Sequence, residues 1–203
     1  MITAMDWFCK CKTIYVPAFV SFPVEDNGKY SLALTESDPE AKLKRITISN
    51  VPENTVLLNL QEYSKLNIGA SLGKIIRDDS GIFKCCDYLL ISADSAELDF
   101  IYIELKSKKI DRHEIIKQFN GASCFMEYCK GVVEYFFDAP ITKPVSIRTS
   151  YALLSWTSLN KTPTSPSRTK KNKYRKSLSP GDYIHQKIGG SGTISFKWFI
   201  TAV

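Results

Sequence analysis

Histidine is scarce in this sequence. His113 and His185 are the only two among 203 residues. That leaves too little imidazole for a His-rich metal centre, and no HExxH helix is present. Other signatures are missing as well: no phosphate-binding glycine loop, no GxSxG nucleophile elbow and no internal repeat. No apolar run approaches the length of a membrane span. The opening "MITAMDWFCKCKTIYVPAFVSF" makes a poor signal peptide, because Lys10 and Lys12 interrupt its apolar part. A cytoplasmic protein without membrane contact is the expectation. Six cysteines are present, but Cys9 and Cys11 stand one residue too close for a zinc knuckle. Cys85 and Cys86 are adjacent and would point oppositely on a strand; with Cys124 and Cys129 they read as reduced, small apolar side chains.

What is present is an ordinary globular composition, 44% hydrophobic and 24% charged, long enough for one domain with a substantial core. The net charge of +6 is unevenly placed. From Lys161 onward nine Lys/Arg face a single acid, Asp182, whereas residues 1–160 carry eighteen bases and twenty acids. A near-neutral body with a basic end points to a polyanionic partner, against the plainer reading of a solvated tail.

Residues 1–60 read as short strands and turns, with an Asn27-Gly28 hairpin signal. "TVLLNLQEYSKLNIGASLGKII" fits either strand-then-helix or a single helix. "IFKCCDYLLIS" and "FIYIELK" read as strands joined by a turn. "DRHEIIKQFNGASCFMEYCKG" reads as a helix capped by Asp111, with Glu114 completing a capping-box pattern. Ile115, Phe119, Ala122, Met126 and Cys129 form its apolar stripe, and Gly131 suits its stop. "VSIRTSYALLSW" is another strand, and "YIHQKIGGSGTISFKWFI" reads as a C-terminal hairpin. The predicted organisation is one domain over 1–203, with a core over about 55–160, a basic mobile loop over about 158–180 and a hairpin over about 183–203.

The chemistry concentrates in "DFIYIELKSKK", residues 99–109. On a strand Phe100, Tyr102, Glu104 and Lys106 share one face, and Ile101, Ile103 and Leu105 share the other. Both faces begin apolar, so the strand must be covered on both sides. A symmetric turn would set Asp87 opposite Glu104, Leu89 opposite Tyr102 and Ile91 opposite Phe100. Two opposed carboxylates repel each other. With a divalent cation between them they make sense, because carboxylate oxygens and the Leu105 carbonyl are hard ligands suited to Mg²⁺ or Mn²⁺. Lys106 reaches the same space, where it could orient or help deprotonate an attacking water.

The stretch from "CDYLLI" through "FIYIELKSKK" into the helix resembles the core of the PD-(D/E)xK nuclease superfamily, over roughly residues 82–130. Cys86, rather than proline, precedes the aspartate. The resemblance implies an α/β restriction-endonuclease-like core, with a mixed β-sheet flanked by helices and extra β-structure at both ends. It implies Mg²⁺-dependent hydrolysis of nucleic-acid phosphodiesters, of DNA more than RNA, in restriction, repair or anti-phage defence. Asp87, Glu104 and Leu105 would hold the metal, Lys106 would serve the nucleophile and Gln118 would orient. A further acidic ligand would fall on Glu62. Candidate nucleic-acid contacts are Lys108, Lys109, Arg168, Lys170, Lys171, Lys173, Tyr174, Arg175 and Lys176, the tyrosine for stacking on bases. The rival reading is a non-catalytic nucleic-acid-binding or assembly module on a decayed nuclease fold. A homo-oligomer or a partner protein is left open.

Overall fold

The computed structural model describes residues 4–14, 20–61, 84–94, 97–137, 146–157 and 179–200, with side chains of the first segment from Met5 to Lys10. Three α-helices are described, α1 (Ala4–Ile14), α2 (Arg112–Phe136) and α3 (Phe196–Ile200), with one 3-10 turn at Pro180–Asp182. Ten strands accompany them: β1 (Val20–Ser21), β2 (Val24–Asp26), β3 (Lys29–Thr35), β4 (Arg45–Ser49), β5 (Thr55–Asn59), β6 (Tyr88–Ala93), β7 (Glu97–Lys106), β8 (Ser146–Trp156), β9 (Ile184–Ile188) and β10 (Ser191–Ser195).

The fold is mixed α/β, built on two mixed sheets. The six-stranded sheet runs β1-β5-β6-β7-β8-β9, and the four-stranded sheet runs β10-β4-β3-β2. Within the larger sheet β1, β5, β6 and β7 pair antiparallel in turn, whereas β7-β8 and β8-β9 are parallel. Helix α2 is the crossover between β7 and β8, the connection that a parallel pair requires.

Strands β6 and β7 are apolar on both faces, and each face meets a different layer. Leu89, Ile91, Phe100 and Tyr102 pack under α1 and α2 with Trp7, Phe8, Phe119 and Met126. Leu90, Ile101, Ile103 and Leu105 pack against Leu32, Leu34, Ile46 and Ile48 of the second sheet, with Phe199 of α3 fully buried among them. Among the described residues α1 and α2 cover one face, and the second sheet with the short α3 covers the other, so the sheet expected to be flanked by helices sits in a helix–sheet–sheet arrangement. The β-rich ends of the chain supply the third layer.

Several local expectations carry through. Asn27 (φ 51°) and Gly28 (φ +73°) turn β2 into β3, the left-handed pair that a two-residue hairpin needs. Asp111 accepts from the His113 and Glu114 amides and starts α2. Glu114 does not complete the capping box; its carboxylate turns to Lys84 at 2.7 Å. The predicted stripe is buried and continues to Val133. The helix accordingly runs through Gly131 to Phe136, because burial of Val133 outweighs the small helical penalty of one glycine.

Others are corrected. The N-terminal stretch read as strands contains α1, held by the burial of Trp7 and Phe8. Thr55–Asn59 is a strand, and Leu60 and Gln61 after it are helical, which is the strand-then-helix alternative as far as the described residues go. The C-terminal pair is not a hairpin. β9 lies parallel to β8 in one sheet and β10 lies parallel to β4 in the other. The glycines mark a corner between layers, and a Cβ on Gly192 would stand 2.6 Å from the Ile188 side chain. Cys86 and Cys129 are buried as expected, but Cys9 and Cys124 are exposed. No described helix is long and apolar enough to cross a membrane.

Candidate functional site

Strand pairing decides whether the two carboxylates meet. β6 and β7 pair Leu89 with Tyr102 and Ile91 with Phe100, the register of a symmetric turn. Continued one residue beyond β6, it sets Asp87 beside Glu104 on the helix-covered face. The Asp87 amide donates to Glu104 Oε2 (3.2 Å), and Asp87 Oδ2 accepts from the Leu105 amide (2.6 Å). Lys106 forms an ion pair with Glu104 Oε1. In an extended strand a residue's N–H and C=O face the same edge. The Leu105 carbonyl therefore faces the side on which Asp87 lies, while its side chain is buried between the sheets.

Other elements hold Asp87 in place. Its carbonyl accepts from the Leu60 and Gln61 amides (2.8 and 3.3 Å), and the Cys86 amide donates to the Gln118 carbonyl on α2 (3.1 Å). Tyr88 Oη accepts from the Thr35 amide (3.0 Å), which docks the end of β3 beside the site.

The electrostatics are those of crowded, dehydrated charges. Glu104 is fully buried. Burial and then the neighbouring Asp87 push its carboxyl up to about 8. Burial likewise lifts Asp87 to about 6, against the pull of the Leu105 amide and Lys106. Burial alone would lower the Lys106 ammonium, but Glu104 and Asp87 carry it above the usual lysine value. Near neutral pH the carboxyl pair thus retains a proton that two ordinary carboxyls would have lost.

Asp87, Glu104, Lys106 and the Leu105 backbone are brought together as expected. Gln118 approaches through its backbone, and its Oε1 is buried without a hydrogen-bond partner among the described residues. Lys108 is exposed and faces Asp38 (3.4 Å) and Glu40 (3.8 Å) instead of an open groove. Lys109 is exposed. Glu62, Arg168, Lys170, Lys171, Lys173, Tyr174, Arg175 and Lys176 lie outside the described residues.

Two neighbours went unread in the sequence. Gln61 hydrogen-bonds the Asp87 carboxylate, and Glu36, just past β3, raises the Asp87 carboxyl through its charge. Neither carries a local signal, since the Tyr88–Thr35 contact brings β3 here from a distant part of the chain.

Among the described residues no group of three or more His, Cys, Asp or Glu side chains converges as a ready metal cage. The donor set is smaller: two hard carboxylates and a backbone carbonyl. It suits a cation that keeps several waters. The raised carboxyls fit such an ion, because a divalent charge would offset the burial, and at Glu104 the nearby Asp87, that keep them protonated. No known family, curated protein or solved structure matches this chain.

Proposed function

We propose that this chain is a metal-dependent phosphodiesterase acting on nucleic acid, DNA rather than RNA, with a restriction-endonuclease-like core formed by β5–β8 and α2. The observation that carries the reading is the β6–β7 register. It gathers one buried carboxyl, one half-buried carboxyl and one ammonium at a strand end, where folding alone would favour apolar residues. Asp87, Glu104 and the Leu105 carbonyl would hold Mg²⁺ or Mn²⁺. The ion, when bound, supplies Lewis-acid polarisation of a phosphoryl oxygen and an acidified water. Lys106, partly exposed beside Glu104, orients the attacking water and offsets charge that develops on the phosphoryl group. Gln118 offers a buried amide acceptor beside the same strand end. The basic segment from Lys161 to Lys176 supplies phosphate contacts by charge.

One observation favours a second reading, a nucleic-acid-binding module without catalysis. Glu104 is already ion-paired with Lys106, and Asp87 already accepts from the Leu105 amide, so the cluster can close on itself without metal. Purified protein incubated with plasmid, linear duplex, single-stranded DNA and RNA, each with Mg²⁺, Mn²⁺ or EDTA, separates the two. Cleavage that needs the metal and disappears in EDTA supports the enzyme. Binding without cleavage under every condition supports the module.

A further inference from the structure

The carboxyl ends of β7 and β8, together with β9, carry a second polar row next to the acidic pair. Parallel pairing sets Glu104 beside Leu153 and Leu153 beside His185; two residues on, it sets Lys106 beside Ser155 and Ser155 beside Lys187. Ladder partners share a face, and so do residues two apart on a strand. Glu104, Lys106, Ser155, His185 and Lys187 therefore all look towards the side of the sheet that carries α2. Ser155 is only 2% exposed, and its hydroxyl shares a 2.7 Å hydrogen bond with His185 Nε2. His185 and Lys187 are exposed. Burial and the adjacent Lys187 hold the imidazole below its usual value. At the α2 end of the row, Arg112 donates to the Gly181 carbonyl (2.8 Å) and ties the helix start to the turn before β9.

A structural role accounts for part of this, since a buried hydroxyl needs a partner. It does not account for an imidazole and an ammonium on one face of the strand, two strands from a pair of carboxyls. Neighbouring strands lie about 4.8 Å apart, so His185 and Lys187 on β9 stand roughly 10 Å from the strand that bears Glu104. A polyanion reacting at the acidic pair is repelled there and needs compensating charge alongside. We propose that Ser155, His185 and Lys187 form a phosphate-binding strip for the nucleic-acid backbone that flanks the reacting phosphodiester. This rests on the nuclease reading above. At a rise of about 3.4 Å per nucleotide, the phosphate held lies within about three nucleotides of the reacting one. Ser155 fixes the imidazole, which presents its other ring edge to the phosphate, and Lys187 adds charge.

The test uses the full chain and a fluorescent duplex oligonucleotide in EDTA, so that binding is read without cleavage. The His185→Ala/Lys187→Ala double variant should bind at least tenfold more weakly, with its melting temperature within a few degrees of wild type. In the same assay Lys187→Ala with His185→Arg should recover most of that loss. A structural partner of Ser155 would not be rescued by arginine, but a phosphate contact would. Equal binding by wild type and the double variant overturns the strip and leaves the nuclease reading standing if Mg²⁺-dependent cleavage is seen. No binding in EDTA by a protein that cleaves in Mg²⁺ also overturns the strip. A wild-type chain that neither binds nor cleaves removes the nuclease reading and the strip with it.

Discussion

Glu104 and Leu105 are neighbours on one strand and should answer substitution in opposite ways. Glu104→Gln removes a buried titrating carboxyl and, in the proposed nuclease, a metal ligand. Cleavage should fall by about a hundredfold or more, a loss of the size seen when one electrostatic contact to a reacting centre is removed. The fold should persist, as judged by circular dichroism. The pH dependence of stability gives an independent check. The Asp87 and Glu104 carboxyls lie at about 6 and about 8 in the folded chain, above the usual 3.9 and 4.3 of unfolded carboxyls. Between these limits the folded state binds more protons than the unfolded one, so stability falls as pH rises. Their contribution is fully present below about pH 4 and is lost by about pH 8. The melting temperature of Glu104→Gln should decline less steeply over this range than that of wild type. Parallel slopes would remove the assigned electrostatics. Leu105→Asp places a charge between the sheets, beside Ile101, Ile103 and Leu154. Its cost of several kcal/mol is comparable with the whole stability of a domain, and the expected outcome is a chain without a cooperative thermal transition.

At the scale of elements, α2 connects the site to the rest of the core. Its first turn is capped by Asp111, its middle touches the Asp87 strand through Gln118, and its far half is held by Cys129 and Val133. Gly131 sits inside this far half, and a Cβ there would meet nothing within 4 Å. Glycine in a helix interior costs roughly 0.5–1 kcal/mol relative to alanine. Gly131→Ala should therefore raise the melting temperature by about 1–4 °C without changing cleavage. A fall instead would mean that Gly131 makes a close approach to a segment outside the described residues. The helix also shows why a sequence signal can mislead. Glycine after an apolar stripe marks a stop only when nothing beyond it is buried, and here Val133 extends the stripe by one more turn.

For the whole molecule, charge is divided between a near-neutral body and a basic end. Lys161, Arg168, Lys170, Lys171, Lys173, Arg175 and Lys176 lie in the stretch that follows β8, the strand next to the one bearing Glu104 and Lys106. Each phosphate contact on duplex DNA releases counterions with a slope of roughly −0.9 in the logarithmic salt dependence. If four of the seven side chains engage phosphates, replacing them with glutamine should flatten that slope by about three to four units. The rate at saturating substrate should survive. A fluorescence titration across salt concentrations reads the slope, and an unchanged value would leave these charges to solvent.

The sequence by itself determined the central pair of strands, their register, and the shared face of Asp87, Glu104 and Lys106. It could do so because strand alternation and a short turn are local, and a short antiparallel connection leaves few registers that bury the apolar residues. The stripe and cap of α2 were legible for the same reason, each resting on residues three or four apart. Only the tertiary structure decided the second sheet as the cover for Ile101, Ile103 and Leu105, the burial of α1, and the division of β9 and β10 between two layers. It alone brought Glu36 and Gln61 to Asp87, and Ser155 and His185 into line with Lys106. Parallel pairing between segments far apart in the chain leaves no periodic trace in either one. Its register is set by how complete layers pack, so residues silent in the sequence become neighbours only once the layers close.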